Sequence, residues 1–109
     1  MTNDERGEIE KNDQNNVDEG ARYVLRLFVT GASSNSLRAI SNLKRICENH
    51  IQGNYSLEII DVYQQKNIAE IEQLIALPLL IKTLPLPARR LIGDMSDTDK
   101  VLRGLGLIL

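Results

Sequence analysis

The eight residues Tyr23-Val-Leu-Arg-Leu-Phe-Val-Thr30 constrain the fold more than any other stretch of this chain. They are rich in β-branched and aromatic side chains and apolar on both faces except at Arg26. A strand of that kind belongs in the interior of a sheet, covered above and below. Gly31-Ala-Ser-Ser-Asn35 then turns the chain, and Ser33, Ser34 or Asn35 supplies a cap for a helix. Leu37, Ile40, Leu43 and Cys47 recur at helical spacing with Ile46 beside them, and Gly53 closes the segment. Tyr55 to Tyr63 reads as a second strand. Strand, helix, strand at this spacing is a βαβ unit, for which a right-handed crossover is expected.

The second half is built from shorter pieces. Asn67 with Glu70 three residues on has the form of a capping box, opening a helix with Ile68, Ile71, Leu74 and Ile75 on its buried face and Pro78 at its end. Leu79 to Leu84 reads as a strand, Pro85-Leu-Pro87 as a turn, and Arg89 to Ile92 as a short edge strand. Gly93-Asp94 turns again, and Ser96 with Asp99 opens a last helix through Val101, Leu102 and Leu105. The order βαβαββα is that of a thioredoxin-like α/β fold, placed over residues 21–109 as one domain. Pro78 falls where such folds carry a cis proline, and only X–Pro bonds adopt cis at tolerable cost.

Local preference at the C-terminal end supports two structures. Gly104 and Gly106 each cost a helix about 1 kcal/mol relative to alanine. Read at period two, Val101, Arg103, Leu105, Leu107 and Leu109 form one strand face instead. Pro85 and Pro87 weaken regular pairing around Leu84 to Ala88. Two packings that differ by a few kcal/mol are both accessible.

Charge is unevenly spread. Residues 1–20 hold seven acids and two bases, while the other 89 hold eleven bases and eight acids. The leader has only Ile9 and Val17 as interior apolar residues, too few to offset its ordering entropy, and is expected to be disordered. The folded part is mildly basic with only four aromatic residues, a weak basis for nucleic-acid binding. No run approaches the ~20 apolar residues of a membrane span, and the acidic N-terminus is not a secretory signal. A single cysteine forms no internal disulfide, which suits a reducing cytoplasm.

The residues needed for catalysis are missing from their places. A redox thioredoxin has a Cys-x-x-Cys pair where the first strand meets the first helix, and here that stretch is Gly31-Ala-Ser-Ser-Asn-Ser36. Cys47 lies at the far end of that helix on its apolar face, where free cysteine is inert packing. A serine nucleophile needs a histidine base, and the only histidine, His50, falls near a helix end. One Cys and one His do not make a metal site, and Asp94, Asp97 and Asp99 lack the glycine and closing Glu of a calcium loop. No cofactor is expected. What remains is a set of arginines: Arg89 and Arg90, adjacent in a strand and so pointing to opposite sides, and Arg38, one position off the helical stripe. Solvated surface charge and partner contact are both open to them.

Several runs together carry a family resemblance. Tyr23-Val-Leu-Arg-Leu-Phe-Val-Thr-Gly31, Asn35-Ser-Leu-Arg-Ala-Ile40, Ile60-Asp-Val62, Leu84-Pro-Leu-Pro-Ala-Arg-Arg-Leu-Ile-Gly-Asp94 and Lys100-Val-Leu102 resemble the KaiB family over about residues 22–107. The resemblance implies a non-enzymatic regulator of KaiC, a RecA-family ATPase, in a cytoplasmic clock or stress-response setting, working as a homo-oligomer (dimer or tetramer). It also implies a second, ground-state fold of the C-terminal half. Pro78, Pro85, Pro87, Gly93, Asp94, Gly104 and Gly106 would determine which fold forms. Tyr23, Arg38, Lys82, Arg89 and Arg90 match positions where family members carry tyrosine or basic residues, and partner contact is expected there. The chain departs from the family at Glu58 and Gln73, where clock members have lysines, at Gly106, and in lacking the family's acidic C-terminal tail. These departures point to a KaiC homologue outside the clock. The alternative class is a thioredoxin-superfamily sensor or redox domain without dithiol activity.

Overall fold

The computed structural model describes residues 22–65, 67–74 and 76–109. The acidic leader expected at 1–20 and the expected core residue Ile75 lie outside them. The elements run β1 (Tyr23–Val29), α1 (Ser34–His50), β2 (Tyr55–Asp61), α2 (Ile68–Ile71), β3 (Leu79–Leu84), β4 (Arg89–Ile92) and α3 (Thr98–Leu105). The sheet order is β2-β1-β3-β4, with β1 parallel to β2 and antiparallel to β3, and β4 antiparallel to β3. This is the thioredoxin-like α/β arrangement expected from the sequence.

β1 is central and covered on both faces. Leu25, Leu27 and Val29 point to one side, where they pack with Ala39, Leu43, Ile46 and Cys47 of α1 and Val101, Leu102 and Leu105 of α3. Phe28 points to the other and packs with Ile60, Leu79 and Ile81, beneath Ile68, Leu74 and Leu77. Arg26 shares the Phe28 face. Its guanidinium lies 5.0 Å from the Phe28 ring centroid and pairs with Glu72 at 3.2 Å and Glu58 at 3.8 Å. A cation in the middle of a central strand is tolerated there because its charge is answered and its stem lies on a ring.

Ser33 caps α1, its hydroxyl accepting from the Ser36 N–H at 3.2 Å. Ser36 is itself fully buried, its hydroxyl accepting from Thr30 N at 3.1 Å and from Ser33 Oγ at 2.8 Å. With a satisfied serine on the inner face, the buried stripe is Ser36, Ala39, Leu43, Ile46 and Cys47. Leu37, expected on that stripe, is 55% exposed, and Ile40 packs only partly.

The second helix departs most from expectation. α2 is a single turn and buries no residue completely. Asn67 adopts helical backbone angles and its side chain makes no capping bond, so the capping box with Glu70 does not form. Gln73 enters the left-handed region at φ 55° and ends the helical path well before Pro78. Ile71, expected in the core, is exposed. Leu77–Pro78 is cis, as are Leu84–Pro85 and Leu86–Pro87. β3 and β4 occupy the expected residues. β2 stops at Asp61, two residues short of the expected Tyr63, because Asp61 Oδ1 accepts from the N–H groups of Gly31 at 3.0 Å and Tyr63 at 2.9 Å. That one carboxylate ties the end of β1 to the end of β2.

The C-terminal segment is helical. Asp97, rather than Ser96, caps α3, its Oδ1 accepting from the Lys100 N–H at 3.1 Å. Ser96 instead donates its N–H to Asp94 Oδ1 at 3.0 Å, one step earlier in the turn. Gly106 ends the helix at φ 80°, with Leu107 N bonded to Leu102 O at 2.8 Å and Gly106 N to Arg103 O at 3.0 Å, the pattern of a left-handed glycine stop. Of the two packings open to this segment, the structure therefore holds the helical one over Thr98–Leu105.

Candidate protein-interaction surface

At the junction of β1 and α1, where redox members of this fold hold their dithiol, the chain has a hydroxyl cluster of Thr30, Ser33 and Ser36. Its one thiol, Cys47, is fully buried, and burial first, then the neighbouring Glu48 charge, pushes its pKa up to about 12. A thiol protonated at neutral pH is no nucleophile. His50 is exposed at the last residue of α1.

The basic residues singled out in the sequence divide between the two ends of the sheet. Val24 stands opposite Leu84, and Lys82 opposite Arg89, so Tyr23, Lys82 and Arg89 lie towards the end where β1 begins. Arg38 lies near the start of α1, towards the other end. Its Nε donates to Asp94 Oδ2 at 3.2 Å, and it also contacts Asn35 Oδ1. Hydrogen bonds from Ser96 chiefly, and then Arg38, hold the Asp94 carboxyl below its ordinary range.

Tyr23 packs partly against the α1–α3 core and donates its N–H to Asn54 O at 3.2 Å. Lys82 is 4% exposed, on the same face as Leu80. Burial and then repulsion from Arg89 lower its pKa. Arg90 turns the other way and donates to the carbonyl oxygens of Gln73, at 3.1 Å, and Glu72, closing the end of α2. Arg89 is exposed and forms no ion pair among the described residues.

The structure adds two cations that sequence reasoning missed. Lys100 and Arg103 lie one turn apart on α3 and, with Arg89, line a groove of about 580 Å³ between β4 and α3. Leu91, Ile108 and Leu109 give it apolar walls, and among the described residues none of its lining side chains is acidic. Lys100 Nζ donates to Ile92 O at 3.2 Å. The three-residue spacing of Lys100 and Arg103 was visible in the sequence, but their meeting with Arg89 requires the docking of α3 on β4.

Comparison with known proteins places the chain. The KaiB domain model matches residues 26–107. The circadian clock oscillator protein KaiB of Prochlorococcus marinus subsp. pastoris is 50% identical over 86 residues, which cover 79% of this chain and 80% of that protein. The circadian clock protein KaiB3 of a Synechocystis species is 51% identical over 87 residues, covering 80% and 85%. Among solved structures, the N-terminal domain of Synechococcus elongatus SasA superposes with a TM-score of 0.65 at 22% identity, covering 90% of this chain and 96% of that one. Yeast mitochondrial thioredoxin 3 superposes with a TM-score of 0.64 at 12% identity, covering 81% and 80%. The structural likenesses establish the fold alone. The sequence match, spanning most of the chain at about half identity, establishes that it belongs to the KaiB family.

Proposed function

We propose that this protein is a non-enzymatic regulator that docks on a RecA-family ATPase ring of the KaiC type and changes its activity. The observation that carries this reading is the cationic groove of Arg89, Lys100 and Arg103 beside buried Lys82, none of which is in an ion pair among the described residues. A cluster of cations favours an acidic face on another protein and speeds the encounter with it. Relatives at about half identity are clock oscillator proteins, which supports a regulatory role over a catalytic one. The thioredoxin-like arrangement is the binding form, because only the packing of α3 against β4 assembles the groove.

Arg38 contributes at the opposite end of the sheet, through a guanidinium already oriented by Asp94. Arg90 has an indirect part, holding α2 through its carbonyl contacts. Glu58 pairs with Arg26 at 3.8 Å, away from the groove.

Mixing the purified protein with a KaiC-type ATPase and nucleotide, followed by size-exclusion chromatography, tests the reading. A stable complex is expected, weakened about tenfold or more by Arg89→Glu and less by Arg38→Glu. Failure to bind any KaiC-type ring, or binding unaffected by Arg89→Glu, overturns it.

A further inference from the structure

The β4–α3 groove has a candidate occupant within the same chain. Its rim is cationic at Arg89, Lys100 and Arg103, and its walls are apolar at Leu91, Ile108 and Leu109. The ion pairs among the described residues are Arg26 with Glu58 and Glu72, and Arg38 with Asp94, so none of them neutralises the groove. A ligand matched to this surface carries acids alternating with single apolar side chains. Residues 1–20 have that composition: net charge −5, with Ile9 between Glu8 and Glu10, and Val17 beside Asp18 and Glu19. This segment also lies outside the part of the chain that matches the KaiB domain.

The topology puts the leader within reach. β1 starts at Tyr23, and Val24 stands opposite Leu84 on β3, next to the end of β4 that carries Arg89. From β1 across β3 to β4 is two strand spacings, about 10 Å. The six residues from Val17 to Arg22 span up to about 20 Å when extended. A tether this short holds the leader at an effective concentration on the order of millimolar, so individually weak contacts are enough to populate the docked form.

We infer that the acidic leader, residues 1–20, docks in cis into the β4–α3 groove as a tethered pseudo-ligand. Glu8, Glu10, Asp18 and Glu19 are the acids placed to meet Arg89, Lys100 and Arg103, with Ile9 or Val17 against the apolar walls. A partner that uses the same groove must first displace the leader. The docking concerns the free protein and requires no ATPase, so its test stands or falls separately from the partner-binding experiment.

A nitroxide attached at Asn15→Cys in the full chain supplies the readout, since buried Cys47, with its pKa near 12, stays unlabelled at neutral pH. In dilute, low-salt solution the amide signals of Gly104 and Gly106 are expected to be lost, while those around exposed Leu37 on α1 persist. The loss is expected to reverse at about 0.5 M salt, where the screening length shrinks to about 4 Å. It is also expected to reverse in Arg89→Glu/Arg103→Glu. A second tagged variant, with the seven leader acids changed to Asn or Gln, leaves the folded domain untouched and is expected to show no loss. Broadening that is absent, spread evenly over the surface, or unchanged when the leader is neutralised overturns the inference. So does broadening of isotope-labelled wild-type protein by an unlabelled tagged chain, which assigns the groove to the leader of a second copy.

Discussion

Leu91 of β4 sits directly over Gly104 of α3, so close that a Cβ placed on the glycine would stand 2.5 Å from Leu91 Cδ1. Judged on helix propensity alone, Gly104→Ala should stabilise α3 by about 1 kcal/mol. The contact with Leu91 opposes that gain, because the leucine side chain must shift to admit a methyl group. Gly104→Ala is expected to destabilise the protein by about 1–3 kcal/mol through overpacking. Leu91→Ala in the same chain should recover part of the Gly104→Ala loss, giving a coupling energy in a double-mutant cycle of urea unfolding. A stabilised Gly104→Ala single variant would show that the packing is loose.

Lys82 offers a second test, because the residue is buried and Arg89 repels its charge. Its pKa is lowered in the folded state, so between the folded and unfolded values the unfolded chain binds more protons and stability rises with pH. Lys82→Met should therefore stabilise the protein at neutral pH, by about 1 kcal/mol. The gain should shrink as pH rises towards the ordinary lysine value of about 10.4. Denaturant midpoints of both proteins across that range check it, and a gain independent of pH would contradict it.

Cys47 works in the opposite sense. Its raised pKa means that the stabilisation from burying the neutral thiol is complete below the ordinary value of about 8.5. It is lost as pH climbs towards about 12. Tyr55, which donates its hydroxyl to Glu48 at 2.6 Å and whose pKa is also pushed up to about 12, adds to that loss from about pH 10 upwards. Cys47→Ala should show a shallower alkaline decline and cost about 1 kcal/mol at neutral pH for the lost packing. Alkylation of Cys47 in the folded protein should be slow at neutral pH and accelerate on unfolding in denaturant. Rapid labelling under native conditions would refute the burial argument.

The turn before α3 should be sensitive to acid. Asp94 accepts from Ser96 N at 3.0 Å and from Arg38 Nε at 3.2 Å, and its pKa is lowered by those bonds. A depressed carboxyl contributes stability above the unfolded value of about 3.9 and loses it as pH falls through the folded value. Wild-type melting temperature should therefore drop more steeply below about pH 4 than that of Asp94→Asn. Parallel profiles for the two proteins would assign the acid sensitivity elsewhere.

Elements with dense, regular patterning could be read from the chain alone. β1 was legible because an apolar run on both faces has few places to go, and β3 and β4 because prolines and glycines bound them on each side. The absence of a dithiol at the start of α1 was equally plain. Caps were less legible: Ser96 and Asp97 are both good capping residues, and only the engagement of Ser96 by Asp94 leaves the role to Asp97. The inner face of α1 was misplaced because Ser36, polar by composition, is buried once Thr30 and Ser33 satisfy its hydroxyl.

Long-range packing set the remainder. Helix propensity at Gly104 and Gly106 argues against α3, yet the first glycine makes room for Leu91 and the second supplies the left-handed stop. The groove comes from the same packing, since Arg89 and the Lys100–Arg103 pair become neighbours only when α3 lies on β4. Local pattern reports what one segment prefers alone. It is silent on which distant segment will fill the space beside it, and in this protein that space is where the charge gathers.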